Sequence, residues 1–189
     1  MCWPKAQIGL ISSMFFFGWC TTLLWMPRFG DVYGRKWLIA YNNILCLFLY
    51  LGVMFAPNVY FLATVIFLWG FFNSIRTNIN FLYMMELMPT KDKDFIGTFW
   101  NCFEGSINLF ATFYFMKVST HWFNFVAIGL LFQIFACCSV WFLPESPIYL
   151  LKLGRFEELK EALSLIADWN GSELEWDQYE FEAGDARAA

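Results

Sequence analysis

Residues 27–36 read Pro27-Arg28-Phe29-Gly30-Asp31-Val32-Tyr33-Gly34-Arg35-Lys36 and lie between two long stretches that carry no formal charge. Residues 6–27 contain no Lys, Arg, Asp or Glu, and neither do residues 37–75. A membrane-spanning helix needs about 20 mainly apolar residues. A short knot of charge and glycine between two segments of that length is a turn at a membrane surface. Only 15% of the residues are charged, against about 25% in a soluble domain. Hydrocarbon is therefore the expected solvent for most of the chain, and a lipid bilayer its first partner.

The net charge of −4 arises mainly from residues 171–189, which hold six acids and one Arg. The balance points away from nucleic acid. Five of the six cysteines (Cys20, Cys46, Cys102, Cys137 and Cys138) fall inside apolar segments, where cysteine acts as a small hydrophobe, so no disulfide framework is expected. The first apolar run is longer than the roughly 7–15 residues of a signal h-region. Its basic cluster follows it, so no cleavable leader is expected. The sequence holds no metal constellation, phosphate loop or nucleophile triad, and no enzyme activity, cofactor or metal is expected.

Five spans are expected, at about residues 7–26, 37–55, 59–85, 95–116 and 122–143. They form a transmembrane bundle over residues 1–143, followed by amphipathic surface helices over 144–171 and an acidic tail over 172–189. The spans must be helical, because lipid gives the backbone no hydrogen-bond partner. Arg28, Arg35, Lys36, Lys91, Lys93, Lys152, Arg155 and Lys160 fall on one side and only Lys5 and Lys117 on the other. Basic short loops face the cytoplasm, which places the C-terminus inside and the N-terminus outside.

Three clusters of polar residues gather at the basic side. The first is Gly30-Asp31-Val32-Tyr33-Gly34-Arg35-Lys36; the second is Glu86 with Lys93; the third is Pro144-Glu145-Ser146-Pro147, directly after the last span. An ion-pair network among them is sterically available. The plainer alternative is solvated loop charge, which contributes little to stability.

Together these clusters resemble the major facilitator superfamily in its sugar-porter and organic-ion branches. Asp31, Gly34, Arg35 and Lys36 resemble that family's loop between its second and third helices, Glu86 and Lys93 its positions around the fourth and fifth, and Pro144-Glu145-Ser146-Pro147 its signature after the sixth. Gly154-Arg155-Phe156 and residues 166–171 are similar to its intracellular helices. The chain departs from the pattern at Pro27, Val32 and Lys93. The resemblance implies an all-α membrane protein that is a partial six-helix half, from the second helix to the sixth. It also implies a gating network of Asp31, Arg35, Glu86, Lys93 and Glu145, and plasma membrane as the family default.

Within the spans, Arg76 lies about 15 Å inside the end of the third and Glu104 about as deep in the fourth, at 1.5 Å per residue. Asn73 and Asn80 flank Arg76 at i−3 and i+4, and Asn101 and Asn108 flank Glu104 in the same way, so each helix carries a polar stripe. A charge at mid-membrane costs about 2.5–3.5 kcal/mol on insertion scales. Two at matched depth suggest an Arg76–Glu104 ion pair lining a substrate or coupling-ion cavity, or else a pair that glues two helices. Gln133 reads as a helix-packing contact.

The function expected is transport of a small organic solute, an organic ion or a sugar, by alternating access, with the chain as an incomplete transporter. The partners are then the solute and a second transporter half or other membrane subunits. The alternative is a non-transporting structural subunit, or a truncated gene product, that keeps half of a transporter fold.

Overall fold

A computed structural model describes residues 5–24, 26–89 and 91–172. Trp25, Thr90 and the acidic tail from residue 173 onward lie outside the described residues. Every regular element among the described residues is helical. Helix α1 is Lys5–Leu23, α2 Met26–Tyr33, α3 Arg35–Met54 and α4 Val59–Leu87. Helix α5, Lys93–Phe113, runs into a π-helical turn at Tyr114–Val118; α6, Trp122–Ser139, is extended by a 3₁₀ turn at Val140–Phe142. Two short helices follow, α7 at Pro147–Lys152 and α8 at Phe156–Asn170. By length and composition, four stretches could cross a membrane: Ala6–Leu23, Arg35–Met54, Val59–Leu87 and Trp122–Phe142. Helix α5 is 21 residues long but carries Lys93, Asp94 and Glu104, which lower its apolar character.

The helix limits have local causes. Asn58 caps α4, its side chain accepting a hydrogen bond from the Phe61 N–H at 2.8 Å, in the way short polar side chains satisfy the first free amides of a helix. Ser146 caps α7 with Pro147 at its first turn, where a proline has no amide to waste. The charged knot, which alone reads as a turn, is itself helical over Met26–Tyr33 and breaks from α3 only at Gly34.

The exterior is apolar, as lipid requires: Phe48 is 64% exposed, Phe103 60% and Phe135 72%. With no hydrophobic drive between helices in lipid, close packing of small residues must hold them together. Helix α1 packs along α4, and α3 packs on both α4 and α6. Gly18 and Gly70 let α1 and α4 meet backbone to backbone, since a Cβ on either would stand 2.1 Å from a carbonyl oxygen of the other helix. One turn further along each lie Thr22 and Ser74, both fully buried. The Thr22 hydroxyl reaches across to the Phe71 carbonyl at 2.9 Å. Beside this seam, Ile39 and Ala40 of α3, Ile75, Ile79 and Tyr83 of α4, and Val140 form one buried cluster. A second cluster (Tyr149, Leu150, Leu159 and Ala162) fastens α8 to α7.

Candidate functional site

The site at the end of the bundle that bears α7 and α8 starts from Gly34. Its φ of 87° and ψ of 158° belong to a region that only glycine occupies without strain. The turn leaves α3 without an N-cap side chain, so its first amides need an acceptor from elsewhere. Glu145, 110 residues along the chain, supplies it: Oε1 accepts from the Arg35 N–H at 3.0 Å. The same oxygen accepts from Lys36 N–H at 3.0 Å and from Ser146 N–H at 3.0 Å. A carboxylate at this point also meets the positive end of the α3 dipole.

Arg35, at the same turn, is 3% exposed and pairs with Glu86 of α4, itself 8% exposed. The pair is bidentate, with Nε 3.2 Å from Oε2 and Nη2 3.0 Å from Oε1. Nη1 donates to the Gly30 carbonyl. The Ser146 hydroxyl donates to Glu86, which links the arginine pair to the glutamate that caps α3. Two tyrosines brace the assembly. Tyr83 donates to the Pro144 carbonyl at 2.6 Å, and Tyr149 donates to the Val32 carbonyl at 3.1 Å with its ring centroid 5.7 Å from the Arg35 guanidinium carbon. Three elements far apart in sequence are thus tied by one polar clamp.

Of the residues expected at this face, Arg35, Glu86 and Glu145 come together. Lys93 does not join them: it heads α5 and makes no ion pair among the described residues. Helix α5 leans on α4 near Gly97, against Met85 and Phe81, and this contact leaves its first turn outside the clamp. Asp31 lies in α2, and its side chain lies outside the described residues. Ser146, Tyr83 and Tyr149 are the members that charge alone did not reveal. Ser146 stands between Glu145 and Pro147, but Tyr83 and Tyr149 carry no local signal that sets them apart from other aromatic residues near span ends.

A Gly34→Ala substitution is expected to cost about 2 kcal/mol through backbone strain. Its Cβ would also lie 3.0 Å from Glu145 Oε2. The loss should appear as a lowered unfolding midpoint of the purified protein. An unchanged midpoint would mean that the turn does not hold this conformation.

At mid-membrane the expected Arg76–Glu104 pair is not made. Arg76 turns toward α6, where Nη1 donates to Gln133 Oε1 at 3.1 Å, and Nη2 donates to Asn73 Oδ1 at 2.5 Å. Gln133, 3% exposed, passes the bond on to the Asn43 carbonyl of α3 at 2.9 Å. The arginine thus gives two of its donors to amide oxygens at the α3–α4–α6 junction. Glu104 is exposed on α5, as are Asn101 and Asn108, and Asn101 donates to the Gly97 carbonyl of its own helix. Depth along the helices matches the two charges, but the helices turn them to different neighbours. Asn80 lies on the Arg76 side, and its buried Oδ1 has no partner among the described residues, like those of Asn42 and Asn43.

An integral membrane protein built as a partial helical half of the major facilitator type is the class that this bundle and its charge clamp define. The chain belongs to the family described as Sugar (and other) transporter, which matches residues 3–186. Among its relatives, solute carrier family 22 member 16 of Homo sapiens is 26% identical over 171 residues, 90% of this chain and 29% of that protein. A low-affinity glucose transporter of Saccharomyces cerevisiae (strain YJM789) is 27% identical over 172 residues, 85% of this chain and 29% of that protein. A sugar transporter of Arabidopsis thaliana is 27% identical over 158 residues, 84% of this chain and 33% of that protein. The chain thus spans about a third or less of the length of these relatives.

Proposed function

We propose that the chain forms part of a transporter that moves a small organic solute, a sugar or an organic ion, across a membrane by alternating access. The relatives' names describe a solute carrier, a glucose transporter and a sugar transporter. The observation that carries the reading is the clamp of Arg35, Glu86 and Glu145. It is a set of charge-assisted bonds that joins the start of α3, the end of α4 and the segment after α6 on one face of the bundle. A polar lock at one surface holds one state of a rocking cycle until a solute shifts the balance. Asp31 and Lys93 belong to the same gate in this reading, recruited in a state in which α5 closes on α4.

Helix α5 serves as the fourth of the five spans. Its stripe of Asn101, Glu104 and Asn108, together with Arg76, Asn73 and Asn80 of α4, gives the solute path its polar lining. Arg76 spends two of its bonds on Gln133 and Asn73 and keeps further donors for a solute oxygen. The excess of basic residues in the loops beside α7 and α8 sets that face in the cytoplasm and the N-terminus outside, with the plasma membrane as the site.

Uptake into vesicles that carry this chain, with and without a co-expressed second transporter half, tests the proposal. Glucose and a panel of organic cations and anions are the probes. The expected result is saturable uptake of one class when both halves are present. A Glu104→Gln variant should lower that uptake about tenfold, the loss of roughly one charge-assisted contact. Absence of uptake of every probe in both preparations would overturn the transport reading in favour of a structural subunit.

A further inference from the structure

Beside the clamp a cleft of about 400 Å³ opens among the start of α3, the end of α6, α7 and α8. One wall is aromatic. Trp37 and Trp141 meet edge to face with ring centroids 5.9 Å apart, and Tyr33 joins them. The rest is charged and of mixed sign. Arg155 is already neutralised by Glu158, and Glu145 is spent on the amides of α3. Lys36 and Glu161 also line the cleft, and neither side chain forms an ion pair among the described residues. One open cation, one open acid and an aromatic wall thus face a single space.

The cleft does not end at the membrane surface. A second, mostly apolar hollow of about 340 Å³ shares Tyr33 and Trp37 with it and continues past Leu38 and Tyr41. Above Tyr41, α3 presents Leu45 and Phe48, both exposed. A polar chamber at the level where tryptophans mark a bilayer interface therefore opens onto a greasy track running into the hydrocarbon.

We propose that this cleft seats one zwitterionic phospholipid, taken from the leaflet on the side of α7 and α8. The phosphate sits at Lys36, whose ammonium has no acid partner among the described residues. The headgroup amine lies against Trp37 and Trp141, whose faces attract a cation, and toward Glu161. One acyl chain follows Trp37, Tyr41 and Phe48 along α3. An anionic lipid without an amine would meet the open Glu161 carboxylate with nothing to offer it, so charge complementarity selects the amine-bearing class. Because Lys36 and Glu145 meet through the Lys36 backbone amide, the bound lipid abuts the clamp directly.

The test is native mass spectrometry of the full chain, titrated with phosphatidylethanolamine, phosphatidylcholine or phosphatidylglycerol. One retained molecule of either amine-bearing lipid is expected, in preference to phosphatidylglycerol. Lys36→Gln keeps the amide that binds Glu145 and should weaken retention about fivefold, the effect of one basic residue at a lipid surface. Lys152→Gln, an exposed position of α7 outside the cleft, should leave retention unchanged. Glu161→Gln should erase the preference over phosphatidylglycerol. Equal retention in the Lys36 and Lys152 variants, or a native preference for phosphatidylglycerol, would overturn the assignment. Circular dichroism of each variant shows whether it is folded, and Glu161→Gln, on the exposed face of α8, supplies the decisive comparison if Lys36→Gln is not.

Discussion

Replacing Arg35 with methionine should destabilise the protein by about 3–5 kcal/mol, the cost of leaving one member of a buried ion pair alone. The guanidinium and the Glu86 carboxylate are both nearly inaccessible, at 3% and 8% exposure. Without Arg35, the carboxylate keeps the Ser146 hydroxyl as its one side-chain partner among the described residues, and the Gly30 carbonyl loses the guanidinium donor. Lysine should not rescue the site, because a single ammonium cannot make two parallel bonds to the carboxylate and also reach Gly30. The double variant Arg35→Met with Glu86→Leu should recover much of the loss, since an apolar pair of similar volume leaves no buried charge behind. Heat unfolding in detergent would measure all three. A double variant no more stable than Arg35→Met would show that the cost lies in packing rather than in a stranded charge.

Gly70→Ala should be nearly as damaging, at about 3 kcal/mol, the upper end of overpacking costs. The added Cβ would lie 2.1 Å from the Phe15 carbonyl oxygen and 2.9 Å from its carbon. Both are backbone atoms of α1, so no rotamer change makes room and the helices must part. Parting draws Thr22 away from the Phe71 carbonyl, a 2.9 Å contact, and leaves that buried hydroxyl with only its own helix. Gly105 of α5 provides the control, because a Cβ there meets nothing within 4 Å. Gly105→Ala should gain up to about 1 kcal/mol from helix propensity alone. Equal unfolding midpoints for the two variants would mean that α1 and α4 are not in backbone contact.

The membrane environment, the helical class and the three clamp charges were all legible in the chain. Arg35, Glu86 and Glu145 stand at the ends of uncharged stretches, where a charge is affordable. Their partners were less so. An acid after Pro144 could pair with any basic residue at its surface, and nothing local indicates that its oxygen ends on the amides of α3. That outcome depends on the φ of Gly34 and on the segment before α7 bringing Glu145 to the start of α3. Arg76 and Glu104 illustrate the limit most clearly. Their depth is linear in residue number, at about 1.5 Å per residue, and the chain specifies it. Their direction is an angle around each helix, and only the neighbours on that side give it meaning.

What the sequence alone determined is which residues lie in hydrocarbon and which at its surface, because the cost of placing a charge in lipid is paid residue by residue and needs no knowledge of the fold. What only the tertiary structure decided is which polar groups meet. Gln133 rather than Glu104 answers Arg76, and Glu145 rather than a local side chain caps α3. Hydrogen bonds reach about 3 Å, so they are settled by how helices rotate and where glycines such as Gly18 and Gly70 let them touch.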